Sequence, residues 1–135
     1  MNRSMARELA MKLLYSRSVG GDDTFECVKE QSEITAGLSE EDMEFAHDII
    51  NGVTENAARI DELIDESSSN WKVSRMPKVD LCIMRIAAFE LLYQPNIPYA
   101  ATVNEAVELA KRYGDGGTPK FVNGVLGAII KKLPQ

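Results

Sequence analysis

The residues best suited to bind a ligand lie close together near the C-terminal end of this sequence. Within residues 118–127, Lys120, Phe121 and Asn123 fall in four consecutive positions. A lysine contacts phosphate, a side-chain amide bonds to base edges or to the nucleic-acid backbone, and an exposed aromatic ring stacks on an unpaired base. Together these residue types indicate one function to test, the binding of single-stranded RNA.

Two glycines in the same segment open an alternative. On a helix of about 100° per residue, Gly124 and Gly127 share a face with Lys120, Asn123 and Lys131, about 100° to 200° away from the apolar stripe. Each glycine inside a helix costs about 1 kcal/mol relative to alanine. Such a face suits nucleic acid or the close packing of a second helix, and on these residues alone helix packing is favoured.

Groups that catalysis requires are scarce. The only histidine, His47, lies in an acidic segment without a serine or cysteine nucleophile beside it. Cys27 and Cys82 are too few for a disulfide framework and do not form a metal site with His47 at a familiar spacing, and Cys82 is expected in the core. The glycine-rich turn at residues 114–117 lacks the lysine of a phosphate-binding loop. We therefore expect no enzyme activity, no metal and no cofactor.

The charges are unevenly distributed along the chain. The net charge of −6, taken as a whole, argues against a nucleic-acid partner. However, residues 1–20 carry four bases and one acid, residues 21–66 two bases and fifteen acids, and residues 67–135 nine bases and five acids. A charged partner responds to the local field of a patch. These counts are consistent with two interpretations. Either the basic ends bind such a partner, or the chain has a solvated acidic face and scattered lysines.

The length and hydropathy indicate one domain. With 135 residues and 44% hydrophobic content, the chain can form a single core over residues 1–135. The first ten residues carry charges on both sides of their few apolar residues, unlike a signal peptide, and no apolar run reaches the roughly 20 residues of a membrane span. We expect a soluble cytoplasmic protein without a membrane partner.

Apolar residues recur at helical spacing, and no alternating strand pattern is present. The pattern predicts an all-α fold, a compact bundle of six to seven helices with short loops. The segment 79–93 is apolar almost all round, which is typical of a helix at the centre of a fold. Asp80, Arg85 and Glu90 interrupt this segment, and any of them that is buried needs a partner.

Local signals predict where several helices begin. Ser39 with Asp42 forms a capping box, and the apolar seam continues through Gly52, which favours one long helix from there to residue 66. A second capping box begins at Thr102, and Thr118 before Pro119 is expected to cap the last helix. Trp71 is expected to seal the loop before the central helix against the core.

Several segments resemble the NusB family of bacterial transcription antitermination factors, and the resemblance spans nearly the whole chain. The most specific are VNEAVELAK at residues 103–111 and KFVNGVL at residues 120–126. Weaker matches are Arg3 and Arg7 with Glu8, Gly52-Val53 with Asn56, and Val79-Asp80 with Arg85.

The resemblance implies a NusB-like fold, with binding to the boxA element of nascent RNA as a heterodimer with the small-subunit ribosomal protein NusE. It also implies assembly with other Nus factors on RNA polymerase to sustain transcription of ribosomal RNA operons. Carried over by position, Asp80 is the candidate for the NusE contact, and the RNA surface comprises Arg3 and Arg7 for phosphates, with Tyr15, Thr118, Lys120, Phe121 and Asn123.

Two other functions fit the same residues. One is a helical protein-interaction module or homodimer without direct RNA recognition, since some family members self-associate. The other is a stand-alone version of the NusB-like domain found fused to RNA methyltransferases, although this sequence offers no cofactor-binding catalytic domain.

Overall fold

The computed structural model describes residues 2–21, 24, 37–69 and 71–135. The described residues form an all-α fold, as predicted, and contain no strand. Cys27 lies outside this part of the chain. Six α-helices are described: α1 (Arg3–Ser18), α2 (Glu40–Glu55), α3 (Ala57–Ser67), α4 (Lys78–Tyr93), α5 (Tyr99–Tyr113) and α6 (Thr118–Lys131). A 3-10 turn, Val73–Arg75, precedes α4.

Helix α4 lies at the centre of the bundle, as its apolar circumference predicts. It contacts each of the other five described helices. Eleven of its residues are buried, from Asp80 to Leu91 with Arg85 excepted. Cys82 is one of them, as expected, and burial raises the pKa of its thiol. Burial of apolar surface around α4 therefore provides the main driving force for folding.

Side-chain contacts define the directions of the helices and the two ends of the bundle. Arg7, early in α1, binds Glu90 late in α4, whereas Ser18 at the end of α1 shares a pocket with Lys78 at the start of α4. Helices α1 and α4 therefore run antiparallel. Helix α6 runs parallel to α4, because Thr118 contacts Asp80 and the residues after α6 lie beside Leu91.

The single long helix predicted after Ser39 is wrong. The capping box is present, with the Asp42 amide donating to Ser39 Oγ and the Ser39 amide to Asp42 Oδ2, both at 3.1 Å. However, the helix ends at Glu55 and a second begins at Ala57. Asn56 separates them, and its side-chain amide donates to the Gly52 carbonyl at 2.8 Å. A short polar side chain that bonds locally to backbone competes with helix continuation, while the apolar periodicity on both sides remains in phase.

Three smaller expectations also need correction. Helix α5 begins at Tyr99, and the Thr102 hydroxyl donates to Glu90 instead of capping the helix. Gly117 holds the cap position of α6, so Thr118 is already helical. Trp71 is 51% exposed and does not seal the core. In the first two cases the hydroxyl serves a tertiary contact, which a local pattern does not reveal.

Candidate nucleic-acid interface

The first turns of α6 present the predicted ligand-binding side chains to solvent. Lys120 and Asn123 are exposed, and Phe121 is partly buried with its ring against the edge of the core. Within the described residues, neither Lys120 nor Asn123 has a hydrogen-bond or ion-pair partner. Both are therefore free to bind an external partner.

The glycines of α6 face open space. A Cβ atom built on Gly124 or Gly127 meets no described atom within 4 Å. The close packing of a second helix, favoured by the sequence alone, is therefore not made by the described helices of this chain. Gly52 differs, because its Cβ would lie 2.0 Å from Cε1 of Phe89, where α2 crosses α4.

An open groove of about 520 Å³ lies between the end of α3 and the first half of α6, and we call it the α3–α6 groove. One wall is the serine run Ser67–Ser69. The other wall is formed by Gly117, Lys120, Phe121 and Gly124, and Val125 and Ala128 also line it. It therefore combines hydroxyl groups, an aromatic ring, a cation and bare backbone.

Thr118 and Asp80 lie together beneath the start of α6. Thr118 is 1% exposed, and its hydroxyl donates to Asp80 Oδ1 at 3.1 Å while accepting from the Asp115 amide at 3.0 Å. Asp80 is also buried. Burial and the nearby charge of Asp115 raise the pKa of Asp80, although the bond from Thr118 opposes this shift. In this conformation neither side chain offers a surface to RNA or protein, and the pair anchors α6 to α4.

Arg7 lies inside the protein. Its guanidinium makes two hydrogen bonds of 2.7 Å to the carboxylate of Glu90, which also accepts from Thr102 at 3.0 Å. Both charged side chains are at least 95% buried. This cluster connects α1, α4 and α5, so Arg7 has no free face for a phosphate. Glu90 obtains the partners that its burial requires, and Arg85 binds Asp61 at 2.8 Å in the same way.

Of the residues of α1 that were predicted to contact RNA, Arg3 and Tyr15 are exposed. Arg3 lies over the ring of Phe45, with 4.7 Å from Cζ to the ring centroid. Tyr15 is 38% exposed, on the half of α1 that approaches the start of α4. Arg3 lies near the opposite end of the bundle from Thr118. Asp80 and Glu90 mark these two ends, and ten helical residues separate them by about 15 Å.

Two further cations, which were not among the predicted site residues, lie where α1 meets the end of α5. Arg112, whose side chain is 61% exposed, binds Glu8 at 3.1 Å, and Lys12 approaches the ring of Tyr113 at 6.0 Å. Tyr113 also donates to Glu8; burial, and then this bond, raise its pKa to about 12. These contacts fasten α1 to the end of α5, four residues before α6. Arg112 lies in the last turn of α5, where a basic residue is commonly explained by the helix dipole, so its position in the sequence carries little functional signal.

Other kinds of site are not supported by the described residues. They contain no group of three or more His, Cys, Asp or Glu side chains arranged to hold a metal ion. None of the described helices is both long and apolar enough to cross a membrane.

Fold and site together define a class of protein: a small all-α bundle whose last helix presents a lysine, an asparagine and a partly exposed aromatic ring. Residues 4–131 match the NusB family, and the chain belongs to that family.

Relatives of this chain carry the name transcription antitermination protein NusB, and two of them show the degree of similarity. The chain is 42% identical to the protein of Clostridium novyi (strain NT) over 132 residues, which is 97% of this chain and 99% of the relative. It is 44% identical to that of Clostridium acetobutylicum over an alignment of 138 positions, which covers 100% of this chain and 99% of the relative. The resemblance noted in the sequence is thus confirmed.

Solved structures share the fold. NusB of T. maritima matches with a TM-score of 0.86 and 33% identity, covering 98% of this chain and 92% of the other. A structure of antitermination factors NusB and NusE in complex with double-stranded RNA matches with a TM-score of 0.83 and 27% identity, covering 97% of each chain. The predicted NusB-like bundle is therefore confirmed.

Proposed function

We propose that this protein is a non-catalytic transcription antitermination factor. It binds boxA RNA together with the small-subunit ribosomal protein NusE. It acts as one domain in the cytoplasm, with other Nus factors and RNA polymerase, to sustain transcription of ribosomal RNA operons. Relatives more than 40% identical over nearly the whole chain carry the antitermination name, and a structural neighbour holds NusE and RNA.

The observation that carries the RNA-binding part of the proposal is the uncovered start of α6. Lys120, Phe121 and Asn123 lie on a helix whose glycine face meets no described atom. In the proposal, Lys120 contacts phosphate, Phe121 stacks on a base and Asn123 bonds to a base edge or the backbone. The local charge around α6 and not the net charge of −6 determines this contact.

The remaining predicted residues take different roles in the proposal. Arg3 and Tyr15 on α1 supply further contacts to RNA, as do Lys12 and Arg112, which lie where α1 meets the end of α5. Arg7 and Thr118 act as positioning residues, because each is buried and bonded to α4. The start of α4, around Asp80, is the region that the family resemblance assigns to NusE.

The test is a titration of fluorescently labelled boxA RNA with this protein, alone and with NusE. We expect binding that is tighter with NusE, and weaker binding by Lys120→Gln because one phosphate contact is lost. Arg59→Gln is the matched control, since Arg59 is also an exposed cation and its only described ion pair is with Glu62 on the same helix.

If the Lys120→Gln and Arg59→Gln proteins bound boxA RNA with equal affinity, this would contradict the proposal that the start of α6 binds RNA. The alternative of a homodimer or protein-interaction module is examined with the same samples by sedimentation. A dimer that persists unchanged on addition of RNA, with no RNA bound, would favour that alternative.

A further inference from the structure

The α3–α6 groove has the dimensions of a small-ligand site, but no predicted role of its own. Its volume of about 520 Å³ falls within the range of 300–1,000 Å³ typical of such sites. Gly124 leaves the middle of the groove open, since a Cβ there meets no described atom within 4 Å. The groove is therefore already formed and accessible.

The lining is chemically mixed, and this narrows the choice of occupant. Phe121, Val125 and Ala128 supply apolar surface, on which a flat ring can stack. Opposite them, Ser69 has no described hydrogen-bond partner, and Ser67 and Ser68, which accept from Lys132 and from the Trp71 amide, each keep an O–H that can donate to the edge of such a ring. The occupant that these groups suit is an aromatic heterocycle with polar edges.

The cations beside the groove indicate that the occupant also carries a phosphate. Lys120 lies at the groove and has no ion-pair partner in the part of the chain that the structure describes. Lys132 reaches Ser67 Oγ at 3.1 Å and is 4.0 Å from Glu66, so the opposite wall is also beside a cation. An apolar helix from a second copy would use neither the lysines nor the three hydroxyls. A heterocycle attached to phosphate uses both.

We propose that the α3–α6 groove binds one unpaired nucleotide of the RNA. Its base lies against Phe121 and over the backbone of Gly124, its polar edge faces Ser67–Ser69, and its phosphate contacts Lys120. This inference rests on the proposed function and assigns to the same surface a site for a single base. Hydroxyl groups accept and donate, so the site selects an unpaired base more strongly than it selects base identity.

The experiment pairs a variant that fills the groove with RNAs that lack one base. Gly124→Leu places a side chain in the groove, and Gly127→Leu makes the same change on the same helix outside the groove. Affinity is measured, with NusE present, for intact boxA RNA and for RNAs with one abasic position each. Thermal unfolding of each variant verifies folding, and Gly124→Ala, with its smaller side chain, serves where the leucine variant does not fold.

For the unmodified protein we expect one abasic position to weaken binding by about tenfold, as for loss of one stacked base. Gly124→Leu should weaken binding of intact RNA by a similar factor, and its affinity should not fall further when that position is abasic. Gly127→Leu should bind each RNA with the same affinity as the unmodified protein. RNA binding with no such coupling to Gly124 would overturn the nucleotide site but leave the proposed function standing. No RNA binding by the unmodified protein would overturn both, and loss of self-association in Gly124→Leu with unchanged RNA affinity would instead assign the groove to a second copy.

Discussion

Arg7 and Lys120 are both cations, but the structure places them in opposite environments. Arg7 lies in the interior with its charge neutralised by Glu90, and Lys120 extends into solvent with no described partner. Burying an ion pair costs solvation energy, and the attraction offsets this cost only when the geometry is good and the remaining oxygens are bonded. The two bonds to Arg7 and the third from Thr102 meet that condition.

Substitution tests the structural role of the buried pair of Arg7 and Glu90. Arg7→Met should lower the free energy of unfolding by about 3–5 kcal/mol, because Glu90 would be left buried and charged without its main partner. Replacing both residues by Met should restore part of the loss. Lys111→Met, which breaks the exposed pair with Glu108, is the control and should change stability by less than about 1 kcal/mol. Urea unfolding measures all three, and a loss in Arg7→Met as small as in the control would contradict the structural role.

Two helical glycines show how packing changes the effect of one residue type. Gly52 allows α2 to approach the ring of Phe89, whereas Gly127 on α6 faces open space. Gly52→Ala should therefore destabilise the protein by about 1–3 kcal/mol through overpacking. Gly127→Ala should stabilise it by up to about 1 kcal/mol through helix propensity. Opposite signs in urea unfolding are expected, and stabilisation by both substitutions would argue against a close crossing of α2 and α4.

The anchor between α4 and α6 should respond to pH. Because the pKa of folded Asp80 is raised above its unfolded value of about 3.9, the folded protein binds more protons than the unfolded chain between these two pKa values. The contribution of Asp80 to stability is thus fully present below about pH 3.9 and is lost as the pH rises through the folded pKa.

Asp80→Asn removes this titration and keeps an oxygen that accepts from Thr118. We therefore expect the stability of Asp80→Asn relative to the unmodified protein to increase as the pH rises from about 4 toward neutrality. Chemical denaturation at a series of pH values measures the difference. Stability curves that run parallel over this range would show that Asp80 titrates normally.

At the level of helices, the sequence predicted what depends on local pattern. The apolar circumference of residues 79–93 indicated the central helix, and Ser39 with Asp42 indicated a helix start. The apolar pattern does not predict the break at Asn56, because the apolar seam is in phase on both sides of it. The roles of Arg7 and Thr102 could not be read locally, since their shared partner Glu90 lies 83 and 12 residues away along the chain.

Across the whole molecule, the residues proposed to contact RNA are spread from one end of the bundle to the other. Arg3 lies near one end of the bundle and the start of α6 near the other, about 15 Å apart along α4. Lys12 and Arg112 lie where α1 meets the end of α5. The sequence predicted Arg3, Tyr15 and three residues of α6 for this role, but not Lys12 or Arg112. Exposure and separation required the fold, because each depends on contacts between distant segments.

The most direct test of the central claim is the salt dependence of binding to boxA RNA in the presence of NusE. Phosphate contacts release counterions, so the logarithm of the binding constant should fall linearly with the logarithm of salt concentration. For Lys120→Gln the slope should be shallower by about 0.7, the value for one contact to a single strand, and for Arg59→Gln it should be unchanged. Identical slopes for all three proteins, or no measurable binding, would contradict the claim that the start of α6 binds RNA.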